Sequence, residues 1–387
     1  MKILIVAGDP SGDLYGGLLL RALKARAKEL HAQAVGGSQL RQAAQETGGE
    51  FLFDLCGLSL SGFVEPLRRL PTLISLRKDL AQRMLRERFD AVLCIDYYGF
   101  NRHVLSAAKA AGARTFYYVS PQIWASRPGR IRALKRLVDL MLVIFPFEEP
   151  LYRNSSVPVQ WVGHPLLDIL PRPLSEESRK GPLRLGILPG SRSGEIRRHL
   201  PVLLQAAEIM RKDLPEMEVL VFAAPQALDA AYVRALSAFA LRTGRAARLV
   251  READYAERSR LDFALTCSGT ATLENALLGV PMVVIYRMSW ATYAVARALI
   301  RVGNIAMANL LAGRTLVPEL IQHAASPARV AQTALDMLSN PLRLESLRKD
   351  LRALRECLGG PGATQRAAAA VLEQTALAEG SHASPAL

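Results

Sequence analysis

Met1-Lys2-Ile3-Leu4-Ile5-Val6-Ala7-Gly8-Asp9-Pro10-Ser11-Gly12-Asp13 (MKILIVAGDPSGD, 1–13) decides the fold class. Ile3–Val6 is a continuous apolar, β-branched run, as a strand buried on both faces requires. Gly8, Asp9 and Pro10 stop it too early for the apolar core of a signal peptide, and a helical pattern over Asp13–Leu30 follows. Strand, glycine turn, helix is the first unit of a parallel α/β sheet. The same grammar returns at Leu185–Leu188, Pro189-Gly190-Ser191-Arg192-Ser193-Gly194 and a helix over Glu195–Lys212.

Outward from these two units, further short apolar runs recur. Ala91–Ile95, Thr115–Val119 and Leu140–Ile144 extend the first set, and Val219–Phe222, Phe263–Thr266 and Met282–Tyr286 the second. Residues 166–182 between the sets are rich in proline and charge and carry no periodicity, so they read as a linker. The expectation is therefore α/β, with two Rossmann-like doubly wound domains over 1–165 and 183–358 and a helical, frayed tail over 359–387. Two such sheets with a cleft at the C-terminal ends of their strands put function in the loops that follow the strands.

Composition narrows the chemistry. A chain of 387 residues, half of them hydrophobic, has room for two cores. No apolar run reaches the roughly 18 residues of a membrane span, so a cytoplasmic protein is expected. Cys56, Cys94, Cys267 and Cys357 lie far apart and the six histidines show no ligand spacing, so neither disulfide, metal nor other cofactor is expected. The net charge of +14, from 49 Lys and Arg against 35 Asp and Glu, asks for an anionic partner. Aromatic content of 6% and the lack of a reader motif argue against nucleic acid. Arginines beside apolar residues, as in Leu67-Arg68-Arg69-Leu70, suit a membrane surface, and Phe63–Leu80 is the expected apolar landing site. A buried core helix is the other reading of that stretch.

Five loops hold the candidate chemistry. Asp9, Ser11 and Asp13 follow the first strand, where Asp9 is a candidate catalytic carboxylate and Ser11 or Asp13 is either a ligand group or a helix cap. Asp96, in Ile95-Asp96-Tyr97-Tyr98-Gly99-Phe100-Asn101, is placed to act as a general base toward a sugar hydroxyl, or else to cap the next helix. Ser120 and Trp124, in Val119-Ser120-Pro121-Gln122-Ile123-Trp124-Ala125, lie on the acceptor side, a lone tryptophan there being otherwise core. Gly190, Ser191 and Gly194 resemble a phosphate cradle, with Arg192 supplying fixed charge. Ser268, Gly269 and Thr270 open a helix suited to a diphosphate, and Glu274 one turn on suits ribose hydroxyls, or completes a capping box.

AGDPSGD (7–13), GFVEPLRRLP (62–71), YVSPQIWA (118–125), FPFEEPLY (145–152), VGHPL (162–166), LPGSRSGEI (188–196), SGTATLENALLGVPMVV (268–284) and NLLAGRTLVPEL (309–320) occur in this order. With them the chain resembles the lipid-A-disaccharide synthase family over nearly its full length. The resemblance implies a GT-B glycosyltransferase without metal. It transfers 2,3-diacylglucosamine from UDP-2,3-diacylglucosamine to 2,3-diacylglucosamine 1-phosphate with inversion, making a β-1,6 link on the cytoplasmic face of the inner membrane. It implies Asp96 as base, Arg192, Ser268, Gly269, Thr270 and Glu274 at the UDP, and Asn309 and Arg314 at the polar end of the nucleotide-sugar site. It also implies a last helix that crosses back to the first domain. Asp9 stands where the family pattern has Glu, and Gly99 where it has a second carboxylate. A paralogue with another acceptor, a non-catalytic binder of UDP-sugar or lipid, and an epimerase on the same scaffold stay open, as does a homo-oligomer.

Overall fold

A computed structural model describes residues 1–58, 65–123, 129–174, 181–223, 229–251, 254–289, 293 and 304–382. The chain forms two compact units, Met1–Asp168 with Leu358–Leu387, and Ile169–Cys357. Each holds one wholly parallel sheet.

The first sheet contains β1 (Lys2–Ala7), β2 (His31–Gly36), β3 (Glu50–Asp54), β4 (Ala91–Ile95), β5 (Arg114–Tyr118), β6 (Leu140–Val143) and β7 (Val159–Trp161). Their order is β3-β2-β1-β4-β5-β6-β7. The second contains β8 (Arg184–Leu188), β9 (Glu218–Phe222), β10 (Arg248–Val250), β11 (Phe263–Cys267), β12 (Met282–Tyr286) and β13 (Glu319–Ile321), in the order β10-β9-β8-β11-β12-β13. In both, the chain runs outward one way from the first strand and then returns to its other side. The reversal falls between β1 and β4, and between β8 and β11. Loops leaving such a point diverge and leave room for a ligand.

All eight strands read from apolar runs are present, each within a residue of its expected end. β1 and β4 are buried along almost their whole length, which is why their sequences do not alternate. β2 (HAQAVG) carries no such run. Its alanines and Gly36 are small because helices pack close over it; a Cβ on Gly36 would lie 2.5 Å from Leu40 Cδ1.

The helix after β1 spans Pro10–Arg26 rather than Asp13–Leu30, with Pro10 in its first turn and Asp9 as N-cap. The second unit's first helix spans Ser193–Met210. The helix Glu65–Glu87 buries Leu76, Leu80 and Met84 and leaves Leu70 (48%) and Ile74 (39%) exposed. It is a core helix along one face and an apolar surface near its start. Phe63 lies outside the described residues, and no described helix is long and apolar enough to cross a membrane.

The first unit is discontinuous. The chain leaves it at Asp168 and re-enters at Leu358. Helix Ala363–His382 then packs on helix Pro10–Arg26. Asp168 accepts from the N–H groups of Gly362 (2.5 Å), Ala363 (3.2 Å) and Thr364 (2.8 Å), the otherwise unpaired donors of that helix start. Arg366 donates to Val162 O at 2.8 Å, and His164 N to Leu358 O at 3.1 Å.

His164 is buried between Tyr15, whose ring meets it edge-on at 5.9 Å, and Phe145 at 5.3 Å. Its Nδ1 accepts from Leu166 N at 3.2 Å. Burial pushes its pKa from the usual 6.5 down to about 3. Between these values the unfolded chain binds a proton that the folded chain refuses, so stability is full above pH 6.5 and falls as the pH drops. Urea unfolding at pH 5 is expected to show about 2 kcal/mol less stability than at pH 7 from this group. His164→Asn should flatten that slope; an unchanged slope would assign it to other groups.

Candidate active site

In the first unit β1 and β4 pair with Ala7 opposite Ile95, so the loops carrying Asp9 and Asp96 emerge side by side. Gly8 lets them approach: a Cβ there would lie 2.1 Å from the Tyr97 ring. Asp9 accepts from Gly12 N at 3.4 Å as the cap of its own helix. Asp13 has a different task. Its buried carboxylate takes the N–H groups of Gly37 (2.7 Å), Gln39 (2.9 Å) and Leu40 (3.0 Å) at the start of helix Ser38–Thr47. Ser11 is partly exposed in the first turn of helix Pro10–Arg26.

Asp96 has φ +44° and Tyr97 φ +47°, and Val119 at the end of β5 has φ +61°. Aspartate tolerates this region, but a β-branched valine there is strained. The Asp96 backbone is pinned on both sides. Its N–H donates to Tyr118 O (3.0 Å), and its carbonyl accepts from Tyr117 OH (2.6 Å) and Asn101 Nδ2 (2.7 Å). Asp96 therefore keeps an irregular backbone at the end of β4, with a half-buried side chain, and the following helix takes Tyr97 as its N-cap.

Ser120, expected on the acceptor side, has a partner within the protein. It is buried and donates to Glu148 Oε1 at 2.5 Å, while Glu148 Oε2 accepts from Phe145 N at 3.2 Å. Its proton is committed to that carboxylate. Trp124 lies outside the described residues. Near the site, burial followed by the charges of Asp13, Asp9 and Asp54 pushes the Cys56 thiol far up, so it is no nucleophile.

In the second unit β8 and β11 pair with Leu188 opposite Thr266, and their loops again leave together. Gly190 has φ +115°, and a Cβ there would sit 2.6 Å from Glu195 Oε2. Glu195 accepts from Arg192 N at 3.4 Å and from Arg192 Nη1 at 3.1 Å, fixing the turn and the guanidinium together. Ser191 and Arg192 are exposed. Ser268 donates to Ile305 O at 3.1 Å, and Gly269 and Thr270 are exposed at the start of helix Thr270–Leu277. Glu274 accepts from Tyr255 OH at 2.9 Å and from Arg258 Nη1. A carboxylate has about four acceptor positions, so room for a hydroxyl donor remains.

His199, which the sequence reading passed over, clamps this turn. Its Nδ1–H donates to Pro189 O at 3.1 Å and its Nε2 accepts from Arg287 N at 3.0 Å. Nε2 also lies 3.1 Å from Arg287 O, so the ring is held between two carbonyls and one N–H. Burial holds the imidazole below its ordinary pKa.

Two residues expected at the nucleotide site, Asn309 and Arg314, have partners within the protein. Asn309 is fully buried. Its Oδ1 accepts from Leu316 N (2.8 Å) and Val317 N (2.9 Å), and its Nδ2 donates to Val317 O (2.8 Å) and Glu319 Oε1 (2.7 Å). No polar group is left for a ligand. Glu319 also accepts from Ile305 N (2.8 Å) and Ala306 N (3.0 Å), so the pair shapes the backbone that receives the Ser268 hydroxyl. Arg314 is exposed and pairs with Asp350 at 2.8 Å on helix Pro341–Cys357. Its neighbour Thr315 donates to Asn304 Oδ1 at 3.4 Å, next to the Ile305 carbonyl that receives the Ser268 hydroxyl. Asn309→Ala strands several buried groups at once, each worth 1–3 kcal/mol. A loss of about 3–5 kcal/mol in urea unfolding is expected; unchanged stability would return Asn309 to the ligand side.

Among the described residues no three His, Cys, Asp or Glu side chains gather as metal ligands. Each unit thus pairs two strand-end loops at its switch point, one pair bearing carboxylates, the other anion-suited turns. Solved structures place this fold in the GT-B class. The chain is similar to the MurG of Acinetobacter baumannii (15% identity, TM-score 0.59, covering 96% of this chain and 99% of that one). It is also similar to the UDP co-structure of S. aureus MnaA (13%, TM-score 0.66, 97% of each). Within that class the chain belongs to the lipid-A-disaccharide synthetase family, whose model matches residues 3–373. Lipid-A-disaccharide synthases of Syntrophus aciditrophicus (40% identical over 377 residues) and Geobacter metallireducens (38% over 379) each cover 96% of this chain, which covers 97% of each of them.

Proposed function

We propose that this chain transfers 2,3-diacylglucosamine from UDP to O6 of 2,3-diacylglucosamine 1-phosphate, forming the β-1,6 disaccharide 1-phosphate and UDP. Family membership over residues 3–373 supports the reaction class. The observation that carries the residue assignment is the pinned, left-handed Asp96 beside the Asp9 loop.

Asp96 accepts the O6 proton as O6 attacks the anomeric carbon. The bond from that carbon to the diphosphate breaks, and its electron pair leaves on UDP. One displacement inverts the anomeric centre. Arg192 and the turns at Gly190–Ser191 and Ser268–Thr270 hold the growing negative charge, electrostatic preorganisation in place of a metal. Asp9 positions the acceptor from its helix cap, and Glu274 receives ribose hydroxyls. Leu70 and Ile74, on a helix that also carries Arg77 and Lys78, suit a peripheral seat on the cytoplasmic face of the inner membrane.

The test supplies UDP-2,3-diacylglucosamine with and without the phosphorylated acceptor, and follows UDP and disaccharide in metal-free buffer with chelator. UDP release that depends on acceptor, with matching disaccharide, is expected. UDP release without acceptor would favour an epimerase, and binding without turnover a non-catalytic protein.

A further inference from the structure

Two residues beyond Asp96 begins a hollow of about 420 Å³ lined by Tyr98, Gly99, Arg102, Gly129, Arg130 and Ala133. Its charge is one-signed. The Arg130 guanidinium lies 4.5 Å over the Tyr98 ring, which holds a cation without neutralising it. Arg102 spends its Nε on His103 Nε2 at 3.2 Å, leaving the rest of its fork. Neither arginine makes an ion pair among the described residues. The surroundings are positive as well: burial, then Arg102 and Arg77, hold His103 below its usual pKa. The floor is open, since a Cβ on Gly99 would meet nothing within 4 Å.

The hollow is mechanically joined to the proposed base. Tyr98 and Gly99 open helix Tyr98–Ala110, and Asn101 in the same turn donates to the Asp96 carbonyl. Two unneutralised arginines in a concave site match a terminal phosphate, whose oxygens accept paired guanidinium hydrogen bonds. The proposed acceptor is a single pyranose with a reactive O6 at one end and a phosphate at the other. Resting on that reading, we infer that Arg102 and Arg130 hold the anomeric phosphate of the acceptor while its O6 is presented to Asp96. Anionic lipid headgroups share this chemistry, but the hollow's place beside Asp96 assigns it to the substrate.

The experiment compares wild type, Arg102→Ala, Arg130→Ala and the double variant in neutral detergent micelles. Each is given the 1-phosphate acceptor or its dephosphorylated analogue, with the donor unchanged. Wild type is expected to favour the phosphorylated acceptor. Each substitution should raise its KM roughly ten- to hundredfold, leave the analogue's rate and the donor KM unchanged, and so collapse the preference. Arg130→Lys should recover only part of it. An unchanged preference, or equal losses on both acceptors, would overturn the assignment. So would variants that keep the preference but bind phosphatidylglycerol vesicles less than phosphatidylcholine ones. If wild type turns over neither acceptor, the proposed reaction fails by itself, and equilibrium binding of the phosphorylated sugar decides the subsite. Binding to wild type and not to the double variant sustains it; equal binding overturns it.

Discussion

Asp96→Asn is expected to lower kcat by about 10²–10⁴-fold, the usual contribution of a positioned general base. The substitution is nearly isosteric, and the backbone bonds of residue 96 to Tyr117 OH, Asn101 Nδ2 and Tyr118 O do not depend on which of the two side chains it carries. Asparagine also tolerates the left-handed conformation that residue 96 adopts. The loop should therefore persist, UDP binding should be unchanged, and the whole effect should appear in the chemical step. Steady-state rates with saturating donor and acceptor, alongside isothermal titration with UDP, measure the two parts. Full activity in the variant would remove Asp96 from the role of base. A joint loss of UDP affinity and rate would point to a folding defect.

Arg192→Ala carries the second large effect, a fall in kcat on the order of 10²–10³-fold, as for removal of one preorganised charge donor from a site of developing charge. The Arg192 side chain is 57% exposed, so its removal leaves no cavity. What changes is electrostatic. Glu195, which it partly balances at 3.1 Å, would remain beneath the Gly190 turn as an uncompensated negative charge beside the leaving diphosphate. Arg192→Lys should restore part of the rate, because an ammonium supplies charge without the planar fork. If the charge matters only as it grows, kcat and kcat/KM fall together; a rise in donor KM alone would make Arg192 a ground-state contact.

Most of the scaffold was legible because parallel strands covered on both faces leave uninterrupted apolar runs, as in KILIVA and AVLCI. Four of the five strands that escaped notice leave weaker marks, β3 (EFLFD) being the exception. β7, β10 and β13 are three residues long, and β2 is kept small by the helices above it. The site was legible as loops, but not as partners. Nothing near Asp13 in the sequence announces that its carboxylate serves a helix 24 residues away, so it could not be told from Asp9, which caps its own helix. Ser120 and Asn309 are polar residues within strings that mark the family, yet their hydrogen bonds are taken by Glu148 and Glu319, whose roles depend on distant contacts. His199 was overlooked because its two partners, Pro189 and Arg287, lie in separate loops.

The discontinuity at Asp168 and Leu358 bears on how the protein is made. While the ribosome is still translating Ile169–Cys357, the nascent first unit lacks the helix that covers Pro10–Arg26, and the Asp168 carboxylate has no N–H groups to receive. The second unit is contiguous and able to close as soon as it emerges. Biogenesis thus runs counter to chain order: the part synthesised first is completed last, and premature termination before residue 358 leaves it unfinished.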